Sequence, residues 1–327
     1  MSSKIAIVIL NWNGWQDTCA CLESLLVLIP QTSAGVVKQI IVCDNSSSND
    51  SILHLREWFQ HKKISLFEYN SADIDTYIPS DSIMQPQFTL LHNGDNLGYA
   101  GGNNRGIAFA LKDANIDWVW ILNNDTLLTS DALQQLLQVA LEDKQIGICG
   151  SSLVYEHDRI TVQAVGARYN PYFAIGQHLS AHQPISHLQT LPLFVENIDY
   201  VVGAAMLVSR AFIENTGEMS ESYFLYFEEI DWAMRNQKRF KLGVATRSIV
   251  YHKEGASIQG KQKQYNKSSY TADYYRVRNQ IRFTQRFYPL YTPLVRLSLF
   301  LAVFNRIRRQ QFRQAALIFK WIFTWKP

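Results

Sequence analysis

Short, β-branched apolar runs alternate with helix-period segments through the first 150 residues, and this rhythm limits the possible folds more than any single motif. The runs fall at 4–10, 39–43, 64–69, 88–92, 118–122 and 146–150, and the helical patterns lie near 17–28, 49–60, 102–114 and 130–143. Parallel neighbours need a crossover that a helix supplies, so this spacing predicts a mostly parallel sheet covered on both faces. Right-handed crossovers then gather ligands beyond the carboxyl ends of the strands. Residues 70–87 lack a period and read as an inserted surface loop. From about residue 151 the rhythm loosens. Strands are expected at 153–155, 160–169 and 193–202, then a helix opening in an acidic cluster, a strand pair near 242–251 and a helix over 273–287.

A chain of 327 residues with 47% hydrophobic and 18% charged content can bury a large core, which excludes a disordered protein. Four cysteines are too few for a disulfide framework, and Cys19-Ala-Cys21 lacks zinc-ligand spacing. Buried free thiols in a reducing compartment are expected. Lys4-Ile-Ala-Ile-Val-Ile-Leu10 is followed by Asn11-Trp-Asn-Gly14, which suits a first strand and not a signal peptide. No run of 18 uninterrupted apolar residues occurs, so no spanning helix is expected.

The net charge of +3 conceals an asymmetry: residues 274–327 hold eleven Arg and Lys and no Asp or Glu. Those cations interleave with Leu299-Phe-Leu-Ala-Val-Phe304 and Leu317-Ile-Phe-Lys-Trp-Ile-Phe323. Aromatic, apolar helices flanked by cations suit an anionic membrane surface better than a nucleic acid. A helix pair packed on its own domain or on a second subunit accounts for the pattern about equally well.

The candidate chemistry lies in five places. Glu228, Glu229 and Asp231 follow Phe224-Leu-Tyr-Phe227 directly, and carboxylates beside aromatic surface point to handling of a cation or a proton. In a helix starting near Phe227, Glu228 and Asp231 share a face while Glu229 turns roughly 100° away. Asn123-Asn124-Asp125 closes the apolar run Trp118-Val-Trp-Ile-Leu122; one carboxylate and two amides there can hold a hard divalent cation when phosphate oxygens complete its shell. Asp44-Asn45 leaves the second strand, where it can meet a nucleobase or ribose or simply form a turn. In Asn96-Leu-Gly-Tyr-Ala-Gly-Gly-Asn-Asn-Arg-Gly106, glycines that include Gly101 let the backbone approach a ligand, and a helix starting just afterwards offers its N-terminus to phosphate. Arg105 in that first turn opposes the helix dipole unless an anion is bound. His252 follows a late strand and is a candidate second metal ligand.

Taken in order, Ile7-Val-Ile-Leu-Asn-Trp-Asn13, Val42-Cys-Asp-Asn-Ser46, Asn96 to Gly106, Leu122-Asn-Asn-Asp-Thr126, Gly203-Ala-Ala-Met-Leu-Val208, Phe224 to Arg235 and Tyr274-Tyr-Arg-Val-Arg-Asn279 resemble the family 2 inverting glycosyltransferases, in their rhamnosyltransferase-like bacterial branch. The resemblance covers about residues 4–285. It implies the GT-A fold, a Rossmann-like sheet flanked by helices, over 1–260. The nucleotide-binding half would be about 1–126, the acceptor half about 127–260, and a basic helical appendage would occupy 261–327. It also implies that Asn11 and Asn13, with Asp44, hold a pyrimidine base, that Arg105 lies near the nucleotide and that Asn123 approaches the ribose. Asp125, with His252, would hold Mg2+ or Mn2+ against the diphosphate, and Glu229, the second acidic residue of the cluster, would be the base. This chain has Asn where many relatives begin the metal motif with Asp, and Glu where Asp is usual for the base, so Glu228 and Asp231 stay beside Glu229 as candidates.

The expected activity is sugar transfer with inversion from a nucleotide-diphosphate donor, dTDP-L-rhamnose first and UDP-sugars next. The expected acceptor is a hydroxyl of a glycan or lipid-linked glycan at the cytoplasmic face of the membrane. A sugar-phosphate nucleotidyltransferase and a catalytically silent glycan-binding protein are the alternatives. The first typically carries a Gly-rich, Arg/Lys-bearing segment after strand one, where this chain has Asn11-Trp-Asn-Gly14.

Overall fold

A computed structural model describes residues 3–79, 86–253 and 270–324. The boundary expected at 260/261 and part of the 70–87 insertion lie outside the described residues.

The first half runs β1 (Ser3–Asn11), α1 (Trp15–Leu28), β2 (Gly35–Asp44), α2 (Ser51–Lys62), β3 (Leu66–Asn70), β4 (Gln87–His92), α3 (Gly98–Leu111) and β5 (Trp118–Asn123). Next come β6 (Thr126–Leu128), α4 (Ala132–Ala140), β7 (Ile146–Tyr155), β8 (Val162–Ala164), β9 (Ala167–Asn170), β10 (Ile175–His178) and β11 (Phe194–Val195). They lead into β12 (Ala205–Ser209), α5 (Arg210–Thr216), α6 (Glu228–Arg235) and β13 (Lys241–His252), and α7 (Tyr270–Phe287), α8 (Thr292–Arg308) and α9 (Phe312–Thr324) end the chain. One sheet takes the order β11-β13-β7-β12-β5-β1-β2-β4-β3. Its β1–β2, β1–β5, β2–β4, β3–β4 and β7–β13 pairs are parallel, as the alternation predicts. Inside the sheet β12 lies antiparallel between β5 and β7, and β11, β6 and β8 add antiparallel pairs to β13 and β7.

Side chains alternate across a strand, so β1 feeds two cores. Ile5, Ile7 and Ile9 join Leu22 and Leu25 of α1 and Leu133 and Leu137 of α4 on one face. Ala6 and Val8 join Ile107 and Ala110 of α3 on the other. Helix α1 buries Thr18, Cys21, Leu22, Leu25 and Leu28, the spacing of a single helical stripe. The four cysteines are free, and burial pushes the Cys21 thiol up to about 12.

Three expectations change. The strand pair near 242–251 is one long strand, β13. Its polar centre Thr246-Arg-Ser248 is a bulge against β7, not a turn: Thr246 N donates to Leu193 O at 2.9 Å and Ser248 Oγ to Ala132 O at 2.8 Å. Within 193–202 only Phe194–Val195 forms a strand. The described part of the 70–87 insertion also packs inward, because Tyr77 stacks on Phe109 of α3 at 4.1 Å.

At the other end, α7 lies between the sheet domain and the α8–α9 pair. Phe283 joins a core with Tyr223 and Phe227, while Val277 and Ile281 join Leu299, Ile318 and Trp321. Fully buried Asp273 accepts both arms of Arg306 at 2.6 and 2.7 Å, tying α7 to α8. The segment Pro289–Arg308 is 20 residues long with a mean hydropathy of 1.2 and only 17% of that window buried, so by length and composition it is long enough to cross a membrane. The sequence reading missed this because Arg296 interrupts the run.

Candidate active site

The carboxyl ends of β1, β2 and β5 meet in one polar network. Asn11 Nδ2 donates to Asp44 Oδ1 at 2.7 Å, and Asn11 Oδ1 accepts from Thr18 Oγ1 at 2.8 Å. Asp44 Oδ2 accepts from Ser47 N at 2.9 Å, which closes the turn after β2. Asn13, at a φ of 55°, accepts from Ser48 N at 2.8 Å through its side-chain oxygen. Asn124 Nδ2 donates to Gly14 O at 3.2 Å and Thr18 Oγ1 at 3.1 Å, bracing the start of α1. Asn45 turns inward: it is 2% exposed, donates to Gly98 O at 2.9 Å and accepts from Asn93 Nδ2 at 2.8 Å. Asn45 and Asn124 thus shape the loops, while the Asn11, Asn13 and Asp44 backbone rims the same edge beside half-buried Asn123.

The glycine-rich segment is placed differently from the sequence expectation. Helix α3 starts at Gly98, so Arg105 is its eighth residue and not in its first turn. The guanidinium of Arg105 faces Glu221 at 3.7 Å. A Cβ on Gly102 would fall 2.3 Å from Leu10 Cδ1 and 2.6 Å from Asn45 Oδ1, and one on Gly106 would meet Val8 and Cys43. One on Gly101 would fall 2.6 Å from Leu97 Cβ. These glycines let α3 lie hard against the sheet and its own flanking loop. Glycine spacing alone cannot distinguish that need from phosphate approach.

Asp125 and His252 meet because β6 pairs with β13, setting Thr126 opposite His252. His252 Nδ1 lies 2.9 Å from Gln163 Oε1, an atom that can only accept, so the ring proton belongs on Nδ1. His252 Nε2 lies 3.3 Å from Asp125 Oδ1, a buried oxygen with no well-aligned hydrogen-bond donor. A proton on Nε2 or a cation shared by the two atoms satisfies this contact, and a ring oriented by its second nitrogen is the usual setting of a metal-ligating histidine. Burial raises the Asp125 carboxyl, but His252 and then Lys253 outweigh it and leave it below the ordinary carboxylate range. Among the described residues no group of three or more His, Cys, Asp or Glu converges on a metal position. Asp125 and His252 therefore fit a hard divalent ion only where a diphosphate supplies the remaining oxygens.

The acidic cluster separates into three environments. Asp231 is fully buried and occupied: Arg235 Nε at 2.6 Å, Arg286 at 2.8 Å and the Tyr223 hydroxyl at 2.9 Å all donate to it. Glu228 is 1% exposed, and its Oε1 has no partner. Burial first, and the charge of Glu229 next, hold its carboxyl well above the usual range. Half-buried Glu229 is also raised by burial, opposed by its own N–H and that of Gly203.

Gly203 links the two halves of the site. It immediately precedes Ala204, whose carbonyl accepts from Asn123 N at 2.9 Å, and a Cβ on Gly203 would fall 3.7 Å from Glu229 Oε1, so Glu229 sits beside the carboxyl end of β5. The Tyr99 hydroxyl closes the arrangement by donating to Gly203 O at 2.6 Å. Tyr99, Gly203 and Gln163 went unassigned in the sequence; the first two lie within the quoted motifs, whereas Gln163 carries no local signal.

The sequence pattern of glycosyl transferase family 2 matches residues 6–217. The low-salt glycan biosynthesis hexosyltransferase Agl10 of Haloferax volcanii is 27% identical over 241 residues, 73% of this chain and 63% of its own length. The alignment thus spans somewhat under two thirds of that relative. A crystal structure of GalNAc-T7 with UDP, GalNAc and Mn2+ superposes with a TM-score of 0.60 at 13% identity, covering 98% of this chain and 56% of that one. The mannosyltransferase PcManGT from Pyrobaculum calidifontis, in complex with GDP-Man and Mn2+, gives 0.52 at 12% identity over 97% of this chain and 85% of its own. These likenesses show a shared GT-A fold.

Proposed function

This chain belongs to glycosyl transferase family 2, and from that premise we propose that it is a hexosyltransferase drawing on a nucleoside-diphosphate sugar. The observation that carries the reading is the seat of Glu229 against Gly203, where a Cβ would fall 3.7 Å from Glu229 Oε1; this sets a carboxylate of raised pKa at the strand edge that also bears Asp125 and His252. Asn11, Asn13 and Asp44 border the position for the base, and Asn123 that for the ribose. Asp125 and His252 would hold Mg2+ or Mn2+, which would supply Lewis-acid neutralisation of the diphosphate charge. Glu229 accepts the acceptor hydroxyl's proton as that oxygen bonds to the anomeric carbon; the bond to diphosphate breaks and the configuration inverts. The raised pKa favours this role, because it brings the base nearer to neutral pH.

The preferred donor is dTDP-L-rhamnose, followed by UDP-sugars. The preferred acceptor is a glycan carried on a lipid, met at the cytoplasmic face of a membrane. Two observations support a peripheral lipid contact. Leu297, Leu301 and Phe304 are 64%, 67% and 63% exposed on one stripe of α8, and Phe319 and Phe323 continue it on α9. Arg308, Arg313 and Lys320 lie exposed around it, with no acidic residue on either helix. That composition suits a helix pair lying in an anionic interface.

The test measures nucleoside diphosphate released from a panel of nucleotide sugars, with and without Mn2+ and an acceptor extract, for wild type, Asp125→Ala and Glu229→Gln. Wild type should turn over one donor. Glu229→Gln should still bind that donor in a thermal-shift assay while losing transfer, and Asp125→Ala should lose the metal dependence. Pyrophosphate release from a nucleoside triphosphate and a sugar phosphate would instead identify a nucleotidyltransferase. Full activity in both variants would sink the mechanism.

A further inference from the structure

The segment that delivers Glu229 is conformationally strained. Phe224, Tyr226 and Phe227 adopt φ values of 69°, 70° and 78°, left-handed backbone that bulky residues rarely occupy. Each costs about 1 kcal/mol or more, so other contacts must impose the shape.

Those contacts come from α7. Fully buried Asn279 directs its Nδ2 at three carbonyls of the strained segment: Tyr223 O at 3.0 Å, Leu225 O at 2.8 Å and Tyr226 O at 3.0 Å. Arg278 Nε donates to Asn279 Oδ1 at 2.9 Å, which fixes the orientation of the amide. The other arm of Arg278 donates to Ser222 O at 2.8 Å and to Tyr223 O. Tyr275 stacks on Phe224 with centroids 4.6 Å apart. On the opposite side Tyr99 N donates to Phe224 O at 2.8 Å, and Gly98 approaches so closely that a Cβ there would lie 2.3 Å from that oxygen. The loop is gripped between α3 and α7, and α6 begins where the grip ends.

We propose that Asn279, with its orientation set by Arg278, is a positioning residue for the transfer reaction: it imposes the left-handed path of residues 224–227 and thereby aims the Glu229 carboxylate. The proposal rests on Glu229 as the base. Asn279 acts on the loop's carbonyls, so its effect belongs to turnover and not to donor capture at the β1, β2 and β5 edge.

Asn279→Ala should lower kcat about a hundredfold, the scale expected for an ångström of misplacement, with donor affinity within about threefold of wild type and a shifted pH midpoint for kcat. Arg278→Lys keeps the charge, removes the fork and should give a smaller loss of the same kind; it also serves if Asn279→Ala fails to fold. Combining Asn279→Ala with Glu229→Gln should be no slower than Glu229→Gln alone, because both act through one group. Unchanged kcat and pH profile in both single variants would overturn the proposal. So would multiplicative losses in the double variant, which leave the base assignment intact. Full activity of Glu229→Gln would overturn the base assignment and the proposal with it.

Discussion

Gly102→Ala separates packing from ligand binding in the glycine-rich helix. The new methyl would sit 2.3 Å from Leu10 Cδ1 and 2.6 and 2.8 Å from the two polar atoms of the Asn45 amide. Leu10 is half-buried and can rotate, but Asn45 is pinned between Gly98 O and Asn93. Alanine in a helix interior gains about 1 kcal/mol over glycine. Overpacking removes about 1–3 kcal/mol. A buried amide forced off a partner removes about 1–3 kcal/mol more. The net is a destabilisation of about 3 kcal/mol, or roughly 1 M in urea midpoint at a slope near 3 kcal/mol per M. Equilibrium urea unfolding, followed by tryptophan fluorescence, reads this directly. Gly106→Ala, which meets Val8 Cγ1 at 2.5 Å and Cys43 Sγ at 2.6 Å, should behave alike. A midpoint unchanged within about 0.2 M, together with weakened donor binding, would refute the packing argument and restore a phosphate-binding role.

Two further outcomes are expected. Folded Glu228 keeps its proton to a pH well above the ordinary glutamate value of about 4.3, whereas the unfolded chain releases it near that value. The folded state then binds more protons across that window, so stability falls as pH rises through it. Glu228→Gln cannot ionise, so its melting temperature should exceed wild type near neutral pH and converge with it below about pH 4; parallel curves would contradict this. Replacing exposed Leu301 and Phe304 by Gln should leave melting unchanged but weaken binding to phosphatidylserine vesicles at least about tenfold, since each buried side chain contributes about 1.5–3 kcal/mol. Equal co-sedimentation of variant and wild type would remove the lipid reading.

Regular elements were legible where burial imposes a pattern. Ile5 to Leu10 and Trp118 to Leu122 are apolar throughout because helices cover both faces of their strands. Segments that serve the site were read less well. Thr246-Arg-Ser248 resembles a turn, yet its polar groups are satisfied by Leu193, Ala132 and Ser151 in mid-strand. Gly98 to Gly106 resembles an anion cradle because the sequence does not reveal what the missing side chains leave room for. Asp231 looked equivalent to its acidic neighbours until Arg286, 55 residues later, came into contact. The neighbours of Asp125 and Glu229 arrive from residues 252 and 203, and no local spacing encodes them.

The reversed strand β12 sets a schedule. Its residues 205–209 wedge between 118–122 and 148–150, and β13 must then seat His252 beside Asp125. Emerging from the ribosome, the amino-terminal strands can pair among themselves. Every contact that turns their edge into a workplace waits for chain made much later, since ends so far apart close slowly. A nascent chain that stops short of residue 252 has the parallel strands but not the pairing that seats His252 beside Asp125, so that corner of the fold is among the last to be completed.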